Sequence, residues 1–481
     1  MSAIVLATIN AKWIHPSLAL RLLKANLGPL EDRAVILEFA LRQPLSEKLE
    51  PILAAKPRIL GLSVSIWNHQ ATLELLRELK QTWDAEQEHA QPGAEARRPL
   101  IILGGPEVSH LPEASEIIGY ADWVVRGEGE LVFRDLCGLL LEGDGSSLSE
   151  ARAIPPSVKA VTGKIIEAWP VDMAAIDPGY RLYTQEDLDR KLTYIEASRG
   201  CPFGCAFCLS ALDPGVREFP LDRFLKEMEQ LIARGGRSFK LLDRTFNLNI
   251  PRARSIMEFF LQQAARKKTM YVHFEMVPSR FPAELRALLT RFPPDSLRLE
   301  LGIQTFNAKT AALINRPSDP AAELECLGFL RDKTNAIVHA DLIAGLPGED
   351  MASFAEGFDR LWNAGPTEIQ LGILKRLPGT PLAQQKDPCA RYAPDPPYTV
   401  LETAALTANE LERIGNFARF WELIVNRGAF PDLGPALFPE GAAVFDRFMA
   451  LSDWLRERFG RNWGIERQEL RQALEAWTAV S

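Results

Sequence analysis

Three cysteines in one short stretch carry the clearest chemistry of this chain. Cys201, Cys205 and Cys208 are spaced Cys-x-x-x-Cys-x-x-Cys within Ser198-Arg199-Gly200-Cys201-Pro202-Phe203-Gly204-Cys205-Ala206-Phe207-Cys208. Thiolates prefer soft metals, and three on one loop can close round one face of an iron–sulfur cubane. A cluster that only carries electrons takes four protein thiolates, so three leave one iron open to a small molecule. A zinc knuckle or a set of buried thiols is the competing reading. Zinc wants four ligands, usually from paired Cys-x-x-Cys units, and no fourth cysteine or histidine lies close by in the sequence. The remaining cysteines, Cys137, Cys326 and Cys389, are scattered, which suits a reducing compartment rather than a disulfide framework.

A length of 481 residues calls for two or three domains. With 47% apolar and 25% charged residues, the composition is that of a well-cored globular protein. A net charge of −8 offers no basic stripe for phosphate, so no nucleic-acid partner is expected. Met1-Ser2-Ala3-Ile4-Val5-Leu6-Ala7 reads as a first strand rather than a signal peptide, and no apolar run reaches the roughly 18 residues of a membrane helix. The expectation is a soluble cytoplasmic protein with no membrane partner.

The first third alternates short apolar runs, at residues 4–8, 34–39, 59–66, 100–103 and 123–125, with helical stretches at 18–27, 70–83 and 131–141. Such runs indicate buried parallel strands of a doubly wound, Rossmann-like α/β sheet. Residues 91–98 read as an exposed loop. Ligands of such sheets sit beyond the carboxyl ends of the strands. Three segments fall there: Ser63-Val64-Ser65-Ile66-Trp67-Asn68, Gly104-Gly105-Pro106-Glu107 and Arg126-Gly127-Glu128-Gly129-Glu130. Glycines let backbone amides approach a flat, bulky ligand, although each loop alone also fits an ordinary tight turn. None is Gly-x-Gly-x-x-Gly opening a helix, which disfavours a dinucleotide. Residues 143–180, with Gly145-Ser146-Ser147 and Pro155-Pro156, read as a linker carrying a small edge strand near 164–169.

Strand candidates then recur at a wider interval, at 192–197, 239–242, 270–274, 297–301, 337–343 and 368–374, with helical stretches between them. Six strand–helix repeats indicate a partial (β/α)6 barrel, whose chemistry gathers at the carboxyl ends of its strands. The cysteine loop follows the first strand. Lys240-Leu241-Leu242-Asp243 ends the second, and the Asp243 carboxylate suits an ammonium, which has donors and no acceptor. A helix cap or salt bridge is its alternative. Glu300-Leu301-Gly302-Ile303-Gln304-Thr305-Phe306 lies on the fourth strand, where Gln304 also fits a polar core residue. Asp341-Leu342-Ile343-Ala344-Gly345-Leu346-Pro347-Gly348-Glu349 ends the fifth, and Leu377-Pro378-Gly379-Thr380-Pro381 closes the sixth.

The three-cysteine spacing, with aromatic Phe207 before its last member, resembles the radical S-adenosylmethionine (SAM) superfamily, whose open iron is chelated by the amino and carboxylate groups of SAM. The resemblance implies that Cys201, Cys205 and Cys208 hold a [4Fe–4S] cluster kept dry by Phe203 and Phe207. It also implies that Asp243 receives the SAM amino group, that Gln304 or Glu300 bonds its other polar groups, and that the backbone at Ile343, Gly345 and Pro347 lies against the adenine. The Gly302-Ile303-Gln304-Thr305 and Leu377-Pro378-Gly379-Thr380-Pro381 segments are similar to those of coproporphyrinogen dehydrogenases and methylthiotransferases.

Ahead of the barrel, the Gly-Gly-Pro and Gly-Glu-Gly-Glu loops resemble the cobalamin-binding domain that precedes many radical SAM domains. That likeness implies a flavodoxin-type sheet and cobalamin contacts from Ser63, Trp67, Gly104, Gly105, Pro106, Gly127, Glu128 and Gly129. The Asp-x-His-x-x-Gly motif that ligates cobalt from below is absent, the region reading Asn10-Ala11-Lys12-Trp13-Ile14-His15. The corrinoid's own base would then be displaced without a histidine of that motif replacing it. His69 is a candidate neighbour of the lower face, with a helix-start residue as its simpler reading.

The pairing resembles the cobalamin-dependent radical SAM family over roughly residues 1–382. It implies a methyltransferase that cleaves SAM reductively and moves a methyl through methylcobalamin to an unactivated centre of a metabolite. A flavodoxin or ferredoxin would supply the electron. A cyclase-like ring-forming or ring-rearranging enzyme and a non-catalytic cobalamin or cluster sensor are the alternatives. Beyond Pro388 a proline-rich stretch gives way to a helical tail, where Trp421, Phe430, Phe438, Phe445 and Phe448 read as core or docking surface, with substrate lining as the alternative. The tail resembles the uncharacterised helical domain of a subgroup of the family. The expected organisation is a cobalamin-binding domain at 1–142, a linker at 143–190, the barrel at 191–385 and an α-helical domain at 386–481.

Overall fold

The computed structural model describes residues 3–89, 98–142, 155–266, 269–385, 387–441 and 443–479. Residues 91–97 of the expected loop and Gly145-Ser146-Ser147 of the expected linker lie outside them. The chain divides into two compact units, residues 1–197 with 217–240, and residues 198–216 with 241–481.

The first unit is built on strands β1 (Ile4–Asn10), β2 (Ala34–Ala40), β3 (Ile59–Ser63), β4 (Leu100–Gly104), β5 (Trp123–Arg126), β6 (Val158–Thr162) and β7 (Ile165–Ala168). Between them run helices α1 (Leu18–Ala25), α2 (Leu45–Ala55), α3 (His69–Glu88), α4 (Glu116–Gly119) and α5 (Glu130–Glu142). The strand order is β2-β1-β3-β4-β5-β7-β6, and its first five members follow the flavodoxin-type arrangement. The strand expected near residues 164–169 is β7, which pairs parallel with β5, while β6 takes the edge antiparallel to it. Part of the stretch read as linker therefore belongs to this sheet.

β1 is apolar along nearly its whole length because both faces are covered. Val5, Ala7 and Ile9 enter one core with Leu73, Leu76 and Leu79 of α3, whereas Ile4 and Leu6 enter the other with Val132, Phe133 and Leu136 of α5. Each such fully buried aliphatic side chain contributes about 1.5–3 kcal/mol. The two cores hold the strand ends, and the loops after them, in fixed relation.

The chain continues through α6 (Gln185–Arg190), β8 (Thr193–Ile195), β9 (Ser198–Arg199), β10 (Arg217–Glu218), α7 (Leu221–Ala233) and β11 (Ser238–Leu241). Next come α8 (Ile250–Arg266), β12 (Tyr271–Met276), α9 (Ala283–Leu289), β13 (Leu297–Gln304), α10 (Ala308–Leu313), α11 (Pro320–Lys333), β14 (Ile337–Ala344), α12 (Met351–Ala364) and β15 (Glu368–Ile373). The six strands expected for the barrel are thus present as β8 and β11 to β15. In the second unit β12, β13, β14 and β15 are parallel neighbours in chain order. β13 and β14 alternate strictly between half-buried and buried residues, so Leu297, Leu299, Leu301 and Ile303 share one face while Arg298, Glu300, Gly302 and Gln304 share the other.

The remainder comprises α13 (Pro381–Gln384), β16 (Arg391–Tyr392), β17 (Val400–Glu402), α14 (Ala408–Trp421), α15 (Gly434–Leu437), α16 (Val444–Phe459) and α17 (Arg467–Thr478). Phe417, Trp421, Phe445 and Phe448 are buried, and the Phe358 ring of α12 meets those of Phe417, Trp421 and Phe445 at 5.1, 4.9 and 5.7 Å. These tail aromatics are core, and the substrate-lining alternative does not hold for them. Among the described residues no helix is long and apolar enough to cross a membrane.

A buried ion pair anchors the approach to β8. Arg21 Nη2 donates to Asp187 Oδ2 at 2.7 Å and reaches Glu38 Oε2 at 2.9 Å, while Lys191 Nζ lies 2.9 Å from Asp187 Oδ1. Burial disfavours the Asp187 carboxylate, but the Thr184 amide, Arg21 and Lys191 outweigh it and hold its pKa down to about 2. The stability this supplies is present above the ordinary carboxylate range and falls away as pH drops toward 2. Asp187→Ala leaves Arg21 to Glu38, removes the partner of Lys191, and is expected to lower the urea unfolding free energy by about 1.5–3 kcal/mol. A loss of under about 1 kcal/mol, the scale of a surface pair, would rule out the anchor.

Candidate functional site

The cysteine loop is fixed from several directions. Cys201 N donates to Asp213 O at 3.0 Å, Ala206 N to Ile314 O at 2.8 Å, and Leu382 N to Ala206 O at 2.8 Å. Gly200 has φ +90°, and a Cβ there would overlap the Gly215 carbonyl, so only glycine fits. Cys201 and Cys205 are buried and Cys208 is half-buried. Phe203 and Phe207 are half-buried, so neither seals the loop by itself.

Burial pushes the Cys201 thiol up, and does the same to Cys205, where the Arg316 guanidinium works in the opposite direction. Arg316 Nη1 approaches Cys205 Sγ to 3.8 Å. Buried sulfurs that resist ionisation in isolation become good ligands once a cation stands against them. Among the described residues no three His, Cys, Asp or Glu side chains converge as a single metal ion would require. Thiolates of a cubane each take a different iron and need no such convergence. Three sulfur donors on one anchored loop therefore fit a three-cysteine iron–sulfur cluster.

The strand ends of the second unit carry the other expected residues. Asp243 is buried and accepts from Ser198 Oγ at 2.5 Å, a contact made next to the cysteine loop that the sequence did not suggest. Glu300 Oε2 lies 3.0 Å from His273 Nε2, and its neighbours in register are Glu275 and His339. For His339 burial opposes the charged form, but Asp341 Oδ1, 3.2 Å from Nε2, outweighs it and raises the pKa. Gln304 sits at a β-bulge with φ +72°, a left-handed conformation that non-glycine residues adopt at a cost of about 1–3 kcal/mol. Its amide folds back over Gly302, where a side chain would collide with it.

Ile343 pairs with Gly372, and Pro347 is half-buried in the turn after β14. Gly345, at φ +84°, is pressed against the later chain: a Cβ would stand 2.5 Å from Val400 Cγ1 and 3.3 Å from Leu411 Cδ2. The same turn ends at Glu349, whose Oε1 accepts from Thr305 Oγ1 at 2.5 Å. Burial pushes the Glu349 carboxyl up to about 7.

In the first unit the three loops lie at the carboxyl ends of β3, β4 and β5, as the strand pattern requires. Asn68, fully buried, binds the first of them to β1: its Oδ1 accepts from Ser65 N at 2.8 Å, and its Nδ2 donates to Ile9 O at 3.0 Å and Ser63 O at 3.2 Å. Val64 N donates to Gly104 O at 2.8 Å. Gly105 has φ +104°, and a Cβ would stand 2.5 Å from Val64 O. Pro106 is exposed and Trp67 is 53% exposed, leaving an apolar ring and bare backbone at the strand ends. Such a surface fits a broad, flat ligand of the corrin kind.

Gly127, at φ +88°, turns the chain after β5, and Gly129 packs close to Leu23. Between them Glu128 is a clamp: its Oε2 accepts from Val171 N at 2.6 Å and its Oε1 from Arg217 Nη2 at 2.7 Å. His69 is the first residue of α3, buried, with Nδ1 3.0 Å from Glu107 Oε1. It is thus a helix-start residue held by a carboxylate. Arg316, His273 and His339 were not singled out by the sequence. No local spacing marks Arg316, which is 111 residues from Cys205.

Residues 195–361 match the model of the radical SAM superfamily. Over 343 residues the chain is 26% identical to the 2-(S-pantetheinyl)-carbapenam-3-carboxylate methyltransferase of Streptantibioticus cattleyicolor, covering 67% of this chain and 48% of that protein. Over 355 residues it is 24% identical to the cobalamin-dependent radical SAM methyltransferase TokK of Streptomyces tokunonensis, covering 70% and 49%. The chain therefore spans about half the length of these curated relatives. Its fold is similar to that of the radical SAM methyltransferase TsrM from Kitasatospora setae, solved with cobalamin and a [4Fe–4S] cluster, at a TM-score of 0.59 and 18% identity over 95% of this chain and 89% of that one.

Two outcomes are expected from these geometries. Gly105→Ala forces a side chain against Val64 and should cost on the order of 1–3 kcal/mol in thermal or urea unfolding. Because the Glu349 pKa is raised on folding, its favourable contribution is complete below pH 4.5 and is lost as pH rises through about 7. Urea melts between pH 5 and pH 8 should therefore show a decline in the parent protein that is reduced in Glu349→Gln. Parallel curves would mean that the carboxyl is ionised throughout.

Proposed function

For a chain whose residues 195–361 form a radical SAM domain, we propose a cobalamin-dependent methyltransferase acting on a small-molecule substrate. The observation that carries this reading is the cysteine loop, which offers three sulfurs and no fourth to a cluster. Support for the methyl-transfer part comes from the relatives, named methyltransferases, over two thirds of the chain. When bound, the cluster supplies the electron that cleaves SAM reductively, and cobalamin supplies the methyl carrier for an unactivated centre.

The chain's own residues bind and orient. Cys201, Cys205 and Cys208 would hold the cluster. Asp243, aligned by the Ser198 hydroxyl, would accept from the N–H groups of the SAM amino nitrogen. Gln304, held by the bulge, and Glu300, held by His273, bond the remaining polar groups. The backbone from Ile343 through Gly345 to Pro347 backs the adenine. In the first unit Ser63, Trp67, Gly104, Gly105 and Pro106 line the corrinoid surface, while Glu128 acts through its clamp to hold the Gly127 and Gly129 loop. His69, engaged by Glu107, is not a cobalt ligand in this reading. We assign the cobalamin-binding domain to 1–142 extended through β7, the barrel to 191–385 and the helical domain to 386–481. We place the protein in the cytoplasm with flavodoxin or ferredoxin as its reductant.

The test is anaerobic reconstitution followed by SAM, hydroxocobalamin and dithionite, with chromatography for deoxyadenosine and S-adenosylhomocysteine. Both products are expected. Deoxyadenosine alone would replace methyl transfer by ring formation or rearrangement, and neither product would leave a sensor. Cys205→Ala should lower both by about 100-fold or more, and turnover near the parent level would refute the cluster assignment.

A further inference from the structure

We infer that Arg316 is a positioning residue that sets the reducing power of the cluster held by the three cysteines. This rests on the reading of Cys201, Cys205 and Cys208 as cluster ligands and assigns a role to a residue none of the motifs contains.

The case begins with how α10 ends. Asn315 adopts a left-handed conformation at φ +51°, with Asn315 N donating to Ala312 O at 3.1 Å and Arg316 N to Ala311 O at 2.9 Å. That reversal lays three consecutive residues against three consecutive residues of the cysteine loop. Ile314 O accepts from Ala206 N at 2.8 Å, Asn315 Nδ2 donates to Gly204 O at 2.9 Å, and Arg316 Nη1 points at Cys205 Sγ from 3.8 Å. The first two contacts suffice to fix the backbone. The third adds charge beside a sulfur.

Two features aim that charge. Arg316 Nη2 donates to the Gly302 carbonyl on β13, which holds the plane of the guanidinium. In addition, Arg316 makes no ion pair with any carboxylate of the described residues, so no neighbouring anion consumes its charge. The buried Glu323 carboxyl feels the Arg316 charge, but burial outweighs that attraction and favours its neutral form. A half-buried cation without an anionic partner, directed at a ligand sulfur, stabilises whichever cluster state carries more negative charge. Reduction adds one electron, so the cation raises the reduction potential.

The experiment is a redox titration of the full chain, anaerobically reconstituted, followed by the electron paramagnetic resonance signal of the reduced cluster. Iron content and absorbance are measured first. Arg316→Gln is expected to load iron like the parent protein but to need a more negative poise, with about a tenfold lower reduced-to-oxidised ratio at the parent's midpoint, equivalent to about 59 mV for one electron. Arg316→Lys, which keeps the charge and loses the fork, should fall between the two. Asn315→Ala removes the Gly204 contact without touching the charge and should leave the midpoint unchanged.

Should Arg316→Gln not assemble a cluster, the lysine variant still decides, because its midpoint must lie below that of the parent. A loaded Arg316→Gln with an unchanged midpoint overturns the inference, as does an equal shift in Asn315→Ala, which would make the segment a clamp only. Weaker SAM binding by Arg316→Gln at an unchanged midpoint would instead make Arg316 a SAM contact. A parent protein that takes up no iron would remove the cluster reading itself, a result separable from all of these.

Discussion

The structure of the second unit turns on taking sulfur out of water. A loop that buries two thiols loses their solvation and cannot anchor itself through them, because buried thiols make weak hydrogen bonds. Its shape must come from elsewhere. Gly200 supplies a backbone angle closed to other residues, and Asp213, Ile314 and Leu382 pair with the amide and carbonyl groups that the loop leaves over. Two of the residues that position the cysteines, Ile314 and Leu382, are therefore drawn from segments far along the chain.

The two units solve burial in different ways. β1 is apolar along nearly its whole length because helices cover both faces, so its apolar side chains split between two cores. The contacts proposed for a ligand fall instead in the loops after β3, β4 and β5. β13 and β14 alternate instead, which leaves one face polar. Barrel interiors are ordinarily filled by branched aliphatic residues. Here Arg298 pairs with Glu368 and approaches His339 Nδ1 at 3.1 Å, and His273 pairs with Glu300. Charges that satisfy one another keep such a face folded, because burying an isolated charge costs far more than burying a pair. The same arrangement favours polar and charged ligands over apolar ones at the strand ends above it.

Local spacing made the chemistry legible, and period made the strands legible. The three cysteines lie within one turn of chain, and the strand-end loops follow from apolar runs whose length suits buried strands. What could not be read was set by contacts between distant segments. Asp243 is met by Ser198 across 45 residues, and Glu128 grips Arg217 across 89. Glu128 stood in a glycine-rich loop that suggested ligand contact, yet its carboxylate is committed to holding the loop. The aromatic tail was ambiguous for a related reason, since helical spacing of Phe417, Trp421 and Phe445 is the same for a core and for an apolar pocket. Only the Phe358 ring among them decides between the two.

The change of composition after Pro388 marks the segment proposed as the helical domain, and its contacts tie it closely to the strands of the second unit. β15 lies at the edge of its sheet, and an edge strand exposes unpaired amides and carbonyls. Asn426, from the tail, caps one such position completely: its Oδ1 accepts from Ile369 N at 3.2 Å, and its Nδ2 donates to Ile369 O at 3.0 Å. Higher up, Val400 N donates to Leu374 O at 2.9 Å, while Val400 and Leu411 press on Gly345 in the turn proposed to back the adenine. A side chain at Gly345 would push the tail away, and removing the tail would uncover both the strand edge and that turn. The helical segment is therefore one wall of the second unit, and its distinct composition follows from packing aromatic residues against α12 rather than from folding alone.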